Sequence, residues 1–280
     1  MDSQKIRYLK NIAAKCRRKV VRMVEASGAG HLGGALSCLD IVTALYFYFM
    51  NIDPKNPKMP ERDRFILSAG HKCMAQYAAL AEKGFFPEDI LDTYGSLHSK
   101  IPGHPDMHKL PGVEANTGAL GHGLSIATGM ALGLKMDKMD SKVYVIMGDG
   151  ELPEGSNWEA AAAAAHYGLD NLIVFVDNNG LQISGKTAEV MNMEPIADRF
   201  KAFGWETEDI DGNNMEEIID TIESMLRKKG KPKAIIAHTI KGKGISFTEN
   251  NYKYHYWKPN SEELQKAICE LDAAIKEETK

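Results

Sequence analysis

The chain has 280 residues, of which 44% are hydrophobic, and its formal net charge is −4 at pH 7. This length suits one large domain or two small ones with a sizeable core. Basic residues are scattered among acidic ones, which excludes the basic footprint of a nucleic-acid-binding protein. The first 20 residues carry charges every few positions and lack the apolar run of a signal peptide or membrane span. We therefore expect a cytoplasmic globular protein that binds neither nucleic acid nor membrane.

The cysteines lie far apart in the sequence and form no C-x-x-C pair. They are Cys16, Cys38, Cys73 and Cys269. This spacing predicts neither a disulfide framework nor a zinc site, so we expect buried or inert thiols.

Short apolar runs rich in β-branched and aromatic residues alternate with helical stretches. Strands are predicted at 64–68, 142–147, 171–176 and 232–239. Helices are predicted near 4–27, 36–50, 72–83, 119–136, 155–167, 192–203, 213–229 and 261–278. Runs that are apolar on both faces are typical of a parallel sheet, and their alternation with helices predicts a doubly wound α/β fold. We expect a single domain over 1–280, with 240–280 as a C-terminal loop and helix.

Two of the predicted strands are followed by polar residues. The first is followed by Gly-Asp-Gly at 148–150 and the second by Asp-Asn-Asn at 177–179, with an alanine-rich helix predicted between them. If these strands are adjacent and parallel, Asp149 and Asn179 lie together at the edge where such folds bind ligands. Their oxygens, with backbone carbonyls of the turn at 179–181, suit Mg²⁺ or Ca²⁺ bound to a phosphate. Gly148, Gly150 and the helix start near Gly155 favour an anion at the same place.

Either motif alone would indicate only a turn, because Gly, Asp and Asn dominate turns for backbone reasons. Joined by a strand–helix–strand unit, the two motifs resemble the thiamine diphosphate signature, in which a paired asparagine follows Gly-Asp-Gly. The resemblance implies that Asp149, the Asn179 side chain and the Leu181 carbonyl hold Mg²⁺ (or Ca²⁺). It also implies that the motif's other members contact the cofactor: Gly148, Gly150 and Glu151.

Several histidines stand in glycine-rich loops before predicted helices: His31, His71, His104 and His122. An imidazole in such a place can exchange protons near neutral pH, and the helix start favours its neutral form. A single loop histidine is more often solvated or capping, and this interpretation is kept for His98, His108 and His166. The group formed by 98, 104 and 108 lacks the regular spacing of metal ligands.

The stretches around these histidines resemble the amino-terminal half of transketolase, from about residue 5 to 260. His31 matches the histidine of its S-G-H-x-G loop, with one extra residue giving Ser-Gly-Ala-Gly-His. His71 matches the S-x-G-H segment beside the diphosphate, and His104 the P-G-H-P loop that contacts the sugar. The segment 118–123 resembles the T-G-x-L-G-x-G turn that passes the diphosphate. Its Gly118 and Leu120 are the implied contacts, and His122 stands where glutamine is common.

The composition of the segment 238–259 predicts the end of a strand followed by a basic, flexible loop. It resembles the transketolase segment ending in Trp-His-Gly, which makes His255 a further active-site histidine, although Tyr256 replaces the glycine. The resemblance assigns His31 and His255 to proton handling, and His104 to substrate hydroxyls. Glu154 matches a glutamate at the interface between active sites; it is equally an acidic residue favoured at a helix start.

The resemblance covers only the first domain of a transketolase. It implies the N-terminal subunit of a split enzyme, active in an α₂β₂ heterotetramer with a C-terminal subunit that carries the pyrimidine-binding domain and the cofactor-activating glutamate. The expected reaction transfers a two-carbon ketol unit from a ketose phosphate to an aldose phosphate, as in the pentose phosphate pathway.

Three alternatives remain at this stage. The first is a related ketol transferase whose donor is apulose 4-phosphate, sulfofructose or a dihydroxyacetone-type compound. The second is a subunit that binds the cofactor without catalysing a reaction. The third is a nicotinamide dehydrogenase, but the segment 121–126 lacks the third glycine of G-x-G-x-x-G and follows no clear strand.

Overall fold

A computed structural model describes residues 3–279. Its central sheet is parallel throughout, with the strand order β1-β2-β3-β5-β4. The strands are β1 Arg64–Leu67, β2 Val143–Gly148, β3 Leu172–Asn178, β4 Glu206–Asp211 and β5 Lys233–His238. The predicted parallel sheet is therefore confirmed, and four of its strands lie where the apolar runs predicted them.

Strand β4 was not predicted from the sequence. It stands at the edge of the sheet and, within residues 3–279, pairs only with β5. Among its residues, Glu-Thr-Glu-Asp-Ile-Asp, only Ile210 is buried. An edge strand with one buried side chain has no apolar run, so the signal used for the other strands is absent here.

Helices lie on both faces of the sheet. They are α1 Ser3–Ser27, α2 Leu32–Ser37, α3 Leu39–Ala44, α4 Cys73–Lys83, α5 Gly123–Met136, α6 Gly155–His166, α7 Thr187–Val190, α8 Ile196–Ala202, α9 Met215–Arg227 and α10 Ser261–Thr279. Side chains alternate along each central strand between two apolar cores. Val145 and Met147 of β2 face the α5, α6 and α8 side, whereas Ile146 faces the side of α1, α3, α4 and α9. The doubly wound architecture is confirmed.

The predicted helix at 36–50 is wrong as a single element. Two short helices, α2 and α3, are separated at Cys38, and a π-helical turn follows at Leu45–Phe49. The Ser37 hydroxyl, which has one proton to donate, lies 3.0 Å from the Gly34 carbonyl and 2.6 Å from a carboxylate oxygen of Asp177. Such side-chain bonding competes with the helical ladder and is a known cause of helix bending.

Other boundaries also differ from the sequence-based expectation. The helix predicted from 119 begins at Gly123, because Gly118 and Gly121 have φ values of 142° and 86° that a helix does not allow. The short helix α7 was not predicted. No helix follows His104, contrary to expectation, and its loop remains irregular.

The structure can be compared with two expectations from the sequence, that the cysteines are buried or inert and that no segment spans a membrane. Cys16, Cys38 and Cys73 are buried, as expected, whereas Cys269 is exposed. Burial raises the pKa of the Cys38 and Cys73 thiols to about 12. Between residues 3 and 279, no helix is both long and apolar enough to cross a membrane.

Candidate active site

The carboxyl ends of β2 and β3 meet as the sequence predicted. Gly148 pairs with Asp177 in the parallel register, so the two polar motifs emerge side by side. After β2 the chain turns at once into a short 3₁₀ helix, Asp149–Glu151. After β3 it turns at Gly180, whose φ of 70° favours glycine.

A cavity of about 350 Å³ opens at this edge of the sheet. Most of the residues selected from the sequence line it: His31, His71, Gly118, Leu120, Gly148, Asp149, Gly150, Glu151, Asn179, Leu181 and His255. Two others, His104 and Glu154, do not line it. Residues from segments far apart in the sequence therefore share one concave site, the usual form of a small-molecule pocket.

Asp149 is fixed by hydrogen bonds at both of its carboxylate oxygens. Oδ2 accepts from the Gly180 backbone N–H and from the Thr187 hydroxyl, each at 2.8 Å. Oδ1 accepts from the Gly150 N–H at 2.9 Å. Burial raises the pKa of this carboxyl, while the Thr187 hydrogen bond and the charge of Lys72 act in the opposite direction. A carboxylate held this way has lone pairs left for one further ligand.

The turn after β3 brings the other predicted metal ligands to Asp149. Gly180, whose backbone N–H donates a hydrogen bond to Asp149, lies between Asn179 and Leu181 in the chain. Asn179 Oδ1 accepts from the Leu181 N–H at 3.2 Å, and its Nδ2 faces Asp177 at 3.4 Å, so the amide oxygen is directed away from that carboxylate. One carboxylate and two neutral oxygens fit a divalent cation that also binds phosphate oxygens.

The residues described by the structure contain no cluster of three or more His, Cys, Asp or Glu side chains able to hold a metal ion. A cation at Asp149 would therefore need the amide and carbonyl oxygens, and phosphate oxygens besides. This donor set suits Mg²⁺ or Ca²⁺ better than a softer metal.

Two buried lysines line the cavity, and the sequence patterns did not predict either of them as a site residue. Lys72 forms an ion pair with Asp177, which also accepts from Ser37 and Thr239. Lys241 Nζ donates to the Leu181 carbonyl at 2.8 Å. Burial, and to a smaller extent the positive charge of the neighbouring Lys72, lower the pKa of Lys241 to about 8. The HTIKGKG stretch gave a signal of positive charge, but nothing in it distinguished the buried lysine from the others.

Glu151 connects three parts of the site. Its carboxylate accepts from the backbone N–H groups of Gly121, at 2.8 Å, and Gly148, at 3.2 Å, and from the Ser68 hydroxyl. Because these oxygens are already bonded within the protein, Glu151 supports the glycine loops at the cavity. Burial raises the pKa of its carboxyl, and these hydrogen bonds oppose that shift.

The glycine loops pack directly on one another. A Cβ on Gly70 would lie 2.6 Å from the Thr117 carbonyl carbon, and one on Gly118 would lie 2.6 Å from His104 Cδ2. Neither position has room for a side chain. These contacts bring the loop of His71 against the turn that carries Gly118, and they place His104 next to that turn.

Four histidines cluster around the cavity. The ring centroids of His31, His71 and His255 lie 5.2–5.5 Å apart, and that of His104 lies 6.2 Å from His31. Burial lowers the pKa of His71 to about 2 and that of His255 to about 3; Lys72 and Lys241, respectively, make the next largest contribution. Burial also lowers the pKa of His31. His31, His71 and His255 are therefore neutral at physiological pH, and neutral imidazoles can both donate and accept protons.

Two polar atoms in the cavity wall have unused hydrogen-bonding capacity. His255 Nδ1 and Gln182 Nε2 are buried, and neither has a hydrogen-bond partner within the part of the chain that the structure describes. Buried polar groups in native proteins are nearly always bonded. A ligand with polar groups would complete this wall.

The remaining predicted residues lie outside the cavity. Glu154 is exposed at the N-cap of α6 and packs against Gly121. His122 is an exposed N-cap residue of α5. The arrangement is consistent with both interpretations of Glu154, at a helix start or at an interface between active sites.

Residues 9–271 match the family described as "Transketolase, thiamine diphosphate binding domain". The chain belongs to the transketolase family. It is 48% identical over 261 residues to an apulose-4-phosphate transketolase subunit of Phocaeicola vulgatus, covering 93% of this chain and 92% of that protein. It is 45% identical over 272 residues to 6-deoxy-6-sulfo-D-fructose transketolase subunit SqwG of a Clostridium species, and the match covers 97% of this chain and 98% of that protein.

A solved transketolase from Campylobacter jejuni superposes with a TM-score of 0.90 at 34% identity. The match covers 97% of this chain and 43% of that one, so the chain spans less than half of the solved transketolase. Family membership makes this chain a transketolase-type transferase that contains the thiamine diphosphate-binding domain.

Proposed function

We propose that this chain is the thiamine diphosphate-binding subunit of a two-chain transketolase. The observation that carries the proposal is the register of Gly148 with Asp177, which sets Asp149 beside the turn at 179–181 in a cavity lined by neutral histidines. The names of two relatives that share nearly its whole length, both called subunits, support a division of the enzyme between chains.

The partner would be a C-terminal subunit with the pyrimidine-binding domain and the cofactor-activating glutamate, in an α₂β₂ heterotetramer. Solved transketolase chains are more than twice as long as the segment matched here, which leaves room for such a domain. Glu154, exposed at the start of α6, would lie at the interface between active sites. The single-domain organisation over 1–280 and the cytoplasmic location stay predictions.

The metal would be Mg²⁺, or Ca²⁺ in its place, bound by Asp149, Asn179 and the Leu181 carbonyl. Lys241 already donates to that carbonyl at 2.8 Å, and a carbonyl oxygen has a second lone pair for a cation. The ammonium group of Lys241 would then lie beside the diphosphate and balance part of its charge. Gly148, Gly150 and the turn containing Gly118 and Leu120 would let the backbone approach the cofactor closely.

Thiamine diphosphate, when bound, supplies the electron sink that allows the carbon–carbon bond next to a ketose carbonyl to break. The chain's own residues would orient the sugar and move protons. His31 and His255 would exchange protons with the donor's carbonyl and hydroxyl oxygens, since both are neutral in the folded state. His71 would stand at the diphosphate, and His104 would hydrogen-bond the sugar hydroxyls.

A second candidate differs only in its donor sugar. The relatives whose names specify apulose 4-phosphate and sulfofructose are 48% and 45% identical to this chain, whereas human transketolase is 38% identical. This ranking favours a donor outside the pentose phosphate pathway. A non-catalytic role is disfavoured because the carboxylate, amide and histidine groups are all present in the cavity.

The test is co-purification with a candidate C-terminal subunit, followed by transfer assays with xylulose 5-phosphate, fructose 6-phosphate, apulose 4-phosphate and sulfofructose as donors. We expect ketol transfer that requires thiamine diphosphate, Mg²⁺ and both chains. Activity of this chain alone, or activity independent of the cofactor, would contradict the proposal. The donor with the highest kcat/KM decides between the two candidates.

A further inference from the structure

The loop that carries His104 is held by side chains of helix α4. Tyr77 lies in the middle of this helix and is fully buried. Its hydroxyl lies 3.0 Å from the Pro102 carbonyl and 2.9 Å from the His104 carbonyl. One turn earlier, Cys73 Sγ lies 3.0 Å from the Gly103 carbonyl. The single hydroxyl proton of Tyr77 can therefore be donated to the Pro102 or the His104 carbonyl, and the Cys73 thiol can donate to the Gly103 carbonyl between them.

Backbone hydrogen bonds do not hold this part of the loop within residues 3–279. The nearest ones on either side join Ser99 to Ser96 and Lys109 to Asp106. The segment 102–104 is therefore irregular and depends on α4 for its hydrogen bonds. Removing the Tyr77 hydroxyl takes away the donor that ties this segment to α4.

The position of the His104 ring depends closely on this backbone. The ring contacts Gly118, where a Cβ would lie only 2.6 Å from His104 Cδ2, and its centroid lies 6.2 Å from that of His31. Gly118 and His31 both line the cavity. A displacement of the loop in one direction would press the imidazole into Gly118, and in the other would move it away from Gly118 and His31.

Helix α4 also connects this loop to the opposite side of the site. The residues directly before it, His71 and Lys72, line the cavity, and Lys72 binds Asp177 next to Asn179. One rigid helix start therefore places the residues at the diphosphate side and, through Tyr77, the loop at the sugar side.

We propose that Tyr77 is a positioning residue that holds His104 for the sugar, with Cys73 as its neighbour in the same role. The inference rests on the proposed function, because that function assigns His104 to the substrate hydroxyls. Tyr77 itself is buried and does not line the cavity. Its effect must pass through the carbonyls of Pro102 and His104.

The test compares Tyr77→Phe with Tyr144→Phe. Phenylalanine keeps the ring and removes only the hydroxyl. Tyr144 is the matched control because it is also fully buried, yet its hydroxyl has no hydrogen-bond partner in the described chain. The assay uses the reconstituted two-chain enzyme and the ketose that the wild type accepts as donor. Tyr77→Phe should raise the KM for this ketose by roughly fivefold, which is the effect of losing one hydrogen bond. The kcat and the Kd for thiamine diphosphate should stay unchanged.

A structural readout accompanies the kinetics. Amide hydrogen exchange should become faster in Tyr77→Phe at residues 107–110, whose N–H groups are hydrogen-bonded within the loop. It should stay unchanged in Tyr144→Phe, because only the first variant releases the loop. In a His104→Ala background, Tyr77→Phe should have no further effect on KM. A merely structural role would instead change the cofactor Kd and the KM together.

The outcomes separate the two claims. If His104→Ala raises KM but Tyr77→Phe does not, or if Tyr77→Phe raises KM and cofactor Kd equally, the positioning role is wrong. If His104→Ala leaves KM unchanged, the assignment of His104 in the proposed function is wrong. The exchange data then decide whether Tyr77 holds the loop at all. If Tyr77→Phe exchanges no faster than Tyr144→Phe, the claim that Tyr77 holds the loop is wrong.

Discussion

Lys72 and Asp177 form an ion pair beside the cavity, with side chains that are 3% and 0% exposed. They are 105 residues apart in the sequence. Asp177 also accepts from the Ser37 and Thr239 hydroxyls, and Asn179 Nδ2 lies 3.4 Å from it. A buried carboxylate with one cationic and several neutral donors is fully paired, and it fixes the orientation of the asparagine amide next to it.

We predict that breaking this pair from either side destabilises the chain strongly. Lys72→Met leaves the carboxylate without its cation, and Asp177→Asn leaves a buried ammonium group without its anion. Each change should lower the free energy of unfolding by about 3–5 kcal/mol. The double variant should lose clearly less than the sum of the two, because it leaves no unpaired charge. Urea unfolding of the four proteins measures this.

The exposed ion pair between Lys186 and Glu189, with side chains 70% and 68% exposed, is the control. Replacing Lys186 by methionine should change the free energy of unfolding by less than about 1 kcal/mol. Strict additivity of Lys72→Met and Asp177→Asn would show that the two residues do not depend on each other.

The sequence predicted the β2–α6–β3 unit and its polar endings because that signal is local. Apolar runs, an alanine-rich helix and Gly, Asp and Asn at the strand ends all lie within about 40 consecutive residues, so periodicity and turn chemistry suffice. The roles of Lys72, Lys241 and Thr187 could not be predicted. Their partners lie 38–105 residues away, and only the folded chain brings them together.

The histidines form an intermediate case. Their glycine-rich surroundings pointed to loops, and resemblance to transketolase supplied the roles, but neither gave the low pKa values of His71 and His255. These follow from burial beside Lys72 and Lys241, which depends on packing. Strand β4 was missed for the opposite reason, because an edge strand buries too little to leave a pattern.

Asp149→Asn should weaken metal-dependent binding of thiamine diphosphate by at least about 100-fold. Loss of an outer-sphere partner alone costs metal sites about 10–100-fold, and Asp149 is the proposed direct ligand. Titration calorimetry of the two-chain enzyme with thiamine diphosphate, with and without Mg²⁺, measures the change.

Asp140→Asn is the matched control, because Asp140 is exposed near the amino end of the same strand, β2. It should bind the cofactor like the wild type. Undiminished Mg²⁺-dependent retention in Asp149→Asn would place the metal elsewhere.

Lys241→Met should lower the affinity for thiamine diphosphate by about 10-fold or more, as expected for a lost hydrogen bond from a charged donor. The side chain is 2% exposed and its Nζ reaches the turn at Leu181, so methionine preserves the volume while removing the charge. Lys243→Met, two residues further along, removes a partly exposed lysine that pairs with Glu249 and should leave the affinity unchanged. Equal affinities in both variants would show that Lys241 does not face the diphosphate.

The contribution of His71 and His255 to stability should fall as the pH drops below about 6.5, the usual pKa of an unfolded histidine. The folded-state pKa values of His71 and His255 are lowered to about 2 and about 3. At these two histidines, between about pH 3 and 6.5, the unfolded chain therefore binds more protons than the folded chain, so their contribution to stability rises with pH across this window. Each histidine contributes a slope of less than about 1.4 kcal/mol per pH unit, since both rings are partly exposed.

Urea unfolding at several pH values between 5 and 7.5 tests this, with the His71→Asn/His255→Asn variant for comparison. The slope of the unfolding free energy against pH should be shallower in the variant. Burial of Asp149 and Glu151 raises their carboxyl pKa values, which gives a pH dependence of opposite sign, but both proteins share it. The difference between the two slopes therefore reports the histidines alone, and identical slopes would mean that these two rings take up protons in the folded chain as readily as in water.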